Sequence, residues 1–423
     1  MQPDTKRPRF TDESPTEGKV MNGIAPATTA GALHPNKAAL LDITIRKLTG
    51  DILRMQLPAD TSVESLLLQV RRLVRIRIDQ EVHLVLENKA LTSGQVVGDL
   101  RPEAKELTLD IVCSKRWIAI CGKPGGQLQV CDLRAGKKLC DSCGHTATVC
   151  CVAVDWASLS ALTGSADCAM CLWENIEDAE PMKKLLGHTQ CVSAVEVDWS
   201  SKRALSSGAD GLLLLWDLHC GSMLIQIKAH AEPISCLAVN WSSQQALSGS
   251  WDGTLRLWEF ESSQLILDLP GEQHPVCCAS VHWPSRRALS GSKTGHLVLW
   301  DFSSGHCIWN ASVHRGRISR VSVDWLASKA ASAGWDGKIK LWSFTEGIQL
   351  IAELHEQIHP ISAFAVNWTP EQIVLLSGSW DGMLRIWKLG KDLATDVCRP
   401  PFMIGFGDEK IPCVAVDWEG VQM

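Results

Sequence analysis

Residues 234–258 read ISCLAVNWSSQQALSGSWDGTLRLW, and both marks of a pattern that fills the chain from Trp117 onward lie within them. The first is a short apolar strand closed by an acid, an amide or once a histidine, followed by tryptophan: here Asn240-Trp241. It returns as Asp155-Trp156, Asp198-Trp199, His282-Trp283, Asp324-Trp325, Asn367-Trp368 and Asp417-Trp418. The second is an alternating strand carrying Trp258 here and Trp173, Trp216, Trp300, Trp342 or Trp387 elsewhere, with Cys131 in that slot of the first copy. A period of about 42 residues marks a stack or ring of one supersecondary unit, and Trp-Asp endings at that spacing fit four-stranded blades.

Length and composition are consistent with such an array plus one smaller unit. At 423 residues the chain exceeds what one ordinary core organises, so two folded units are expected. No apolar run is long enough to span a membrane. The start, MQPDTKRPRF, lacks the apolar core and cleavage site of a secretory signal, so a cytoplasmic or nuclear location is expected. Thiols there stay reduced, and most of the 17 cysteines read as small buried hydrophobes. Residues 1–115 carry 16 Lys+Arg against 15 Asp+Glu, leaving 25 against 32 for the rest. A repeat region with net charge −7 lacks the basic footprint of nucleic-acid binding.

The repeated markers resemble the WD-repeat family, over roughly three quarters of the chain. The resemblance implies a mainly β fold, a seven-bladed propeller over 117–423. RWIAIC and QLQVCDL open the repeat region with no Asp-Trp strand before them, and PCVAVDW supplies only that strand at the end. The ring is therefore expected to close with the segment 411–418 in the first blade, which removes exposed strand edges. The resemblance also implies a hydrogen-bonded set per blade: His145/Thr163/Asp167/Trp173, His188/Ser206/Asp210/Trp216, His230/Ser248/Asp252/Trp258, His314/Ser332/Asp336/Trp342 and His359/Ser377/Asp381/Trp387. His274, Ser290 and Trp300 form an incomplete fifth-blade set with Thr294 for the acid. A His-Ser-Asp combination that recurs five times is structural and not an active site.

Ahead of the repeats, residues 1–40 are rich in Pro, Thr, Ala, Gly and charge, the composition of a disordered tail. From Leu41, ITIRKLTGDILRMQL reads as two strands around a turn at 48–51. A helix is expected after Asp60, with Thr61 as its cap, Glu64 three residues on, and Val63, Leu66, Leu67, Val70 and Leu73 on its inner face. HLVLENKAL and ELTLDIV then read as strands. This order, with KLTG, LPADTSVE and LVLENKAL, resembles ubiquitin, so 41–113 is expected to be an α+β β-grasp, ubiquitin-like domain. Val112 to Arg116 replace the terminal Gly-Gly, which excludes a conjugated modifier. The apolar recognition patch of ubiquitin maps onto Leu48 and Val85, with Asp110 as its altered third member.

Motifs that might carry catalysis fail on context. His355-Glu356-Gln357-Ile358-His359 spells HExxH, but zinc-hydrolase chemistry needs a helix to present both histidines, and Pro360 follows directly between two expected strands. The pairs Cys140/Cys143 and Cys168/Cys171 lack the second pair that a structural zinc requires, and Cys168 and Cys171 read as core filling. No enzyme, metal or cofactor is expected.

One rim carries the better functional signal. The residue before the turn acid faces the top of the ring, and it is Trp251, Trp335 and Trp380 in blades four, six and seven, with Lys293 between them. Arg315, Arg317 and Arg320 lie beside these, an aromatic and basic composition typical of binding hot spots. The expectation is a non-enzymatic scaffold, monomeric within larger complexes, whose propeller binds a protein or peptide. Its ubiquitin-like domain would recruit ubiquitin or proteasome machinery. Two alternatives come from resemblance: a Notchless-type ribosome-assembly factor with Glu87 as the acid presented to a metal, and a cullin-ligase substrate receptor through Asp132-Leu133-Arg134.

Overall fold

The computed structural model describes residues 40–47, 52–74, 77, 79–86, 89–100, 106–270, 274–344, 348–355, 359–370, 372–390, 402–405 and 409–418. The tail expected before Leu40, the turn at 48–51 with Leu48, and Glu87 lie outside the described residues.

The N-terminal unit is a five-stranded sheet crossed by one helix. Its strands are β1 (Leu40–Lys47), β2 (Ile52–Pro58), β3 (Gln80–Leu86), β4 (Lys89–Ala90) and β5 (Glu106–Lys115), ordered β2-β1-β5-β3-β4, and α1 spans Val63–Val74. β1 and β5 run parallel in the centre. Alternation along them buries Ile43, Ile45, Leu107 and Leu109 against Val63, Leu66 and Val70 of α1. Each such side chain contributes about 1.5–3 kcal/mol.

Two details of the helix differ from the sequence expectation. Its cap is Ser62, whose Oγ accepts the Ser65 amide at 3.2 Å, so Thr61 is displaced by one position. Leu73 is 60 % exposed. The buried stripe runs Val63, Leu66, Val70 and on to Val74, and one residue of offset rotates a side chain by about 100° on a helix.

Among the described residues seven antiparallel four-stranded sheets follow. Their innermost strands are Val149–Asp155, Val192–Asp198, Ile234–Asn240, Val276–His282, Ile318–Asp324, Ile361–Trp368 and Val414–Val416. Each adjoins the next, and the last adjoins the first, so the sheets stand in a closed circuit. The closing strand Val414–Val416 pairs with Ile118–Gly122, which leads to Gln127–Asp132 and Lys137–Cys143. The segment 414–416 and the start of the repeats thus share one sheet, which completes the circuit.

Between neighbouring sheets the second strands are buried on both faces, as in Ser160–Ser165 and Ile373–Ser379. Trp173, Trp216 and Trp387 are fully buried. The tight turns need glycine where the Asp-Gly pair stands: Gly211 has φ +74°, and a Cβ there would lie 2.3 Å from His230 O. Among the described residues a bulge interrupts the start of six inner strands, at Val149/Cys151, Val192/Ala194, Ile234/Cys236, Val276/Cys278, Ile318/Arg320 and Ile361/Ala363. Bulges re-aim side chains, and here they turn the residues that surround the axis.

Candidate protein-interaction face

The recurring polar sets fix the tight turns at one end of the inner strands. His188 Nδ1 lies 3.0 Å from Asp210 Oδ2, its Nε2 lies 2.8 Å from Ser206 Oγ, and Trp216 Nε1 donates to the same hydroxyl at 2.9 Å. In the next sheet His230 Nδ1 lies 2.8 Å from Asp252 Oδ2, its Nε2 lies 2.8 Å from Ser248 Oγ, and Trp258 Nε1 donates to Ser248 at 3.1 Å. The same geometry holds for His145/Thr163/Asp167/Trp173 and His314/Ser332/Asp336/Trp342.

Ser206 and Ser248 are fully buried, with no exposed surface. Each hydroxyl is a structural link between a histidine and a tryptophan. Burial pushes His145, His188 and His230 below their ordinary pKa despite the facing carboxylates. At Asp336 burial alone would raise the carboxyl, but hydrogen bonds from His314 and from backbone amides outweigh it and hold the group at about 2.

The set expected at His359 is not formed. His359 is exposed, and Asp381 binds Arg385 instead, with Nη2 to Oδ2 at 2.6 Å, while Trp387 Nε1 keeps Ser377 at 3.2 Å. An arginine four residues on, in the strand that the turn opens, satisfies the carboxylate more fully than imidazole can. His355 lies just after the strand Gln349–Leu354 and its Nε2 is 3.3 Å from Glu353. Residues 356–358 of the HExxH match lie outside the described residues. His274 stacks on His296 at 4.3 Å, and Trp300 Nε1 donates to Ser290 at 2.8 Å. Cys171 is buried, but Cys168 is half-buried in a turn at φ +67° and does not fill the core.

At this same end a cavity of about 520 Å³ opens at the centre of the circuit. Of the seven residues expected on the rim, Trp251, Trp335, Trp380, Arg317 and Arg320 line it. The Trp335 and Trp380 rings meet edge to face at 5.1 Å, and all three tryptophans are about two-fifths exposed. Arg317 lies over Trp335 at 5.4 Å, and its Nε is buried with no hydrogen-bond partner among the described residues. Lys293 does not line the cavity but sits over Trp251 at 4.9 Å. Arg315 is outside it, and its backbone amide donates to Asp336 at 3.0 Å.

Arg320 occupies the position that holds Cys151, Ala194, Cys236, Cys278 and Ala363 in the paired registers of other sheets. It lines the cavity at the centre of the circuit, and its Nη1 donates to Ser319 O at 3.0 Å. Lys410, over Trp380 at 5.6 Å, completes the lining. Sequence reading missed it, although Lys410 and Arg317 each precede an Ile, at the repeat position where other copies carry Thr148, Cys191, Pro233, Pro275 or Pro360. Among the described residues no aspartate or glutamate lines the cavity. Cation–π contacts hold the long basic side chains over the rings, so the site offers flat apolar faces edged by positive charge.

The N-terminal unit meets the opposite end of the inner strands. Arg77 donates to Ala157 O at 2.7 Å and Trp156 O at 3.0 Å, just beyond the strand Val149–Asp155. Lys115 pairs with Asp417 at 3.1 Å, and Arg116 lies 3.6 Å from Asp132. Of the expected patch, Val85 is half-buried beside Asp110 in the register of β3 and β5. Asp110 is bound by Arg46 at 3.0 Å, so an ion pair stands on that face.

Four segments, 136–174, 179–217, 221–259 and 350–388, match the family model described as WD domain, G-beta repeat. No curated protein matches the chain. Among solved structures it resembles the crystal structure of the computationally designed Ika8 protein, at 22 % identity and a TM-score of 0.56, over 70 % of this chain and 86 % of that one. That likeness speaks to fold alone. The chain carries WD40 repeats, and these with its repeated four-stranded sheets support a WD-repeat β-propeller.

Proposed function

We propose that the protein is a non-catalytic interaction scaffold: a seven-bladed propeller whose open central cavity grips an acidic or phosphorylated segment of a partner. The observation that carries this is the lining itself. Trp251, Trp335 and Trp380 supply rigid aromatic area, while Arg317, Arg320 and Lys410 supply positive charge with no carboxylate facing them among the described lining residues. Buried aromatic and arginine anchors are what hot spots are made of, and an unpartnered guanidinium nitrogen favours an oxyanion ligand.

The N-terminal unit reads as a ubiquitin-like β-grasp domain, docked where it leaves the cavity open for a second partner. The Arg46–Asp110 ion pair argues for a polar partner face in place of the apolar patch by which ubiquitin is recognised. Recruitment of ubiquitin or proteasome machinery therefore rests on the resemblance. The cullin-receptor reading loses support, since Asp132 is buried and faces Arg116 in the seam and its Oδ1 accepts the Arg134 amide at 2.9 Å. The Notchless-type reading turns on Glu87, outside the described residues. Cytoplasmic or nuclear residence and monomeric assembly into larger complexes belong to the same proposal.

An array of immobilised acidic, phosphorylated and basic peptides, probed with the full chain, tests the reading. Retention on acidic or phosphorylated peptides that weakens with salt supports it, and equal retention on basic peptides contradicts it.

A further inference from the structure

On the cavity wall, two sulfurs from neighbouring sheets face each other. Cys150 lies in the inner strand Val149–Asp155 and Cys191 directly before Val192–Asp198, with Sγ to Sγ at 3.4 Å. Both are half-buried, and both line the cavity. The corresponding neighbours in other sheets are Ser193 and Pro233, Ser235 and Pro275, Cys277 and Arg317, Ser319 and Pro360, Ser362 and Lys410, and Pro412 and Thr148. Two thiols thus coincide where other sheets place at most one. No group of three or more His, Cys, Asp or Glu able to hold a metal occurs among the described residues, which leaves sulfur–sulfur chemistry.

We propose that Cys150 and Cys191 are a modification site: a dithiol that a small-molecule disulfide of the glutathione class oxidises to an intramolecular disulfide joining two adjacent sheets. The sulfurs need to close from 3.4 Å to about 2.05 Å, and the inner strands at which they stand adjoin. Cys150 Sγ, having lost its proton, attacks one sulfur of the oxidant and expels a small thiolate. Cys191 Sγ then loses its proton and attacks the Cys150 sulfur of the mixed disulfide, expelling the second small thiolate. The two protein thiols are oxidised, the oxidant is reduced to two thiols, and the two protons end on them.

The order follows from the pair itself. Cys191 is pushed far above its ordinary pKa first by its hydrogen bond to Cys150 and next by burial. Once Cys150 carries a mixed disulfide that hydrogen bond is gone, and the second thiol is freed to ionise. In a reducing compartment the thiol pool keeps the pair reduced.

The full-length protein is incubated with oxidised glutathione, its remaining thiols are blocked, and the tryptic peptides are mapped by mass spectrometry. The expected product joins the peptides of Cys150 and Cys191 with the loss of two hydrogens, reverses with dithiothreitol, and raises the thermal midpoint. Cys150→Ser and Cys191→Ser each abolish it, while Cys168→Ser and Cys151→Ser leave it. Serine already fills the Cys150 position in four other sheets, at Ser193, Ser235, Ser319 and Ser362, so the Cys150 variant keeps its fold. Folded, oxidised wild type in which both thiols are recovered free, or are paired with other cysteines, overturns the proposal.

Discussion

The rings of Trp335 and Trp380 meet edge to face at 5.1 Å, each with a cation over it, Arg317 at 5.4 Å and Lys410 at 5.6 Å. Four side chains from three consecutive sheets of the circuit thus form one surface, although Lys410 lies 93 positions after Arg317. Edge-to-face packing of this kind adds about 0.5–1.5 kcal/mol beyond area burial and fixes ring orientation. The rings are therefore pre-set for a ligand, which lowers the entropy cost of binding.

The structural sets and the binding surface are separable by mutation. Ser206→Ala strips His188 Nε2 and Trp216 Nε1 of one shared, fully buried partner, and Ser248→Ala does the same to His230 and Trp258. Leaving such groups unsatisfied should cost about 1–3 kcal/mol, read as a lower midpoint in denaturant unfolding. His359→Ala, at an exposed residue, should leave that midpoint unchanged. Equal loss in the serine and histidine variants would contradict the Arg385–Asp381 substitution.

Glu196 should make stability fall as pH rises. It takes an inner-strand position held elsewhere by Ala153, Ala238, Ser280, Ser322 and Ala365, and burial pushes its carboxyl from 4.5 to about 7. A carboxyl with a raised folded pKa disfavours ionisation in the fold, so its cost is absent below 4.5, grows up to about 7 and is complete above it. Glu196→Gln should melt higher than wild type at about pH 8, with the gap closing by about pH 4.5. A gap independent of pH would refute this.

Arg77 should hold the N-terminal unit in place. Arg77→Ala removes two hydrogen bonds to Trp156 and Ala157 carbonyls and leaves both sheet cores untouched. Amide exchange in the loop after Asp155 should quicken several-fold, while exchange within the buried second strands stays as in wild type. Unchanged exchange at that loop would mean that Lys115 and Arg116 suffice.

Much of the fold was legible because the copies repeat two marks that physics ties to position: the apolar strand ended by a polar residue and tryptophan, and, in all but the first copy, the buried third-strand tryptophan. The sets at His188 and His230 could be assigned by spacing. Spacing failed at His359, since His359 to Asp381 has the same separation of 22 residues as His188 to Asp210, and only the structure shows Arg385 taking the acid. The cap was misplaced because Thr61 and Ser62 are both capping residues, and Leu73 because an apolar residue one step off the stripe looks like part of it. Trp251, Trp335 and Trp380 could be grouped by their shared turn position. Lys410 and the Cys150–Cys191 pair could not, because neighbours across sheets appear only when the inner strands are brought side by side.

Calorimetric titration of the full chain with a peptide selected from the acidic and phosphorylated array, repeated with Trp335→Ala/Arg317→Ala, tests the interaction face most directly. The double variant should lose a few kcal/mol of binding, on the order of a hot-spot pair, at an unchanged melting midpoint, since neither residue belongs to a buried set. Full affinity in a folded double variant would show that the cavity is not where the partner binds.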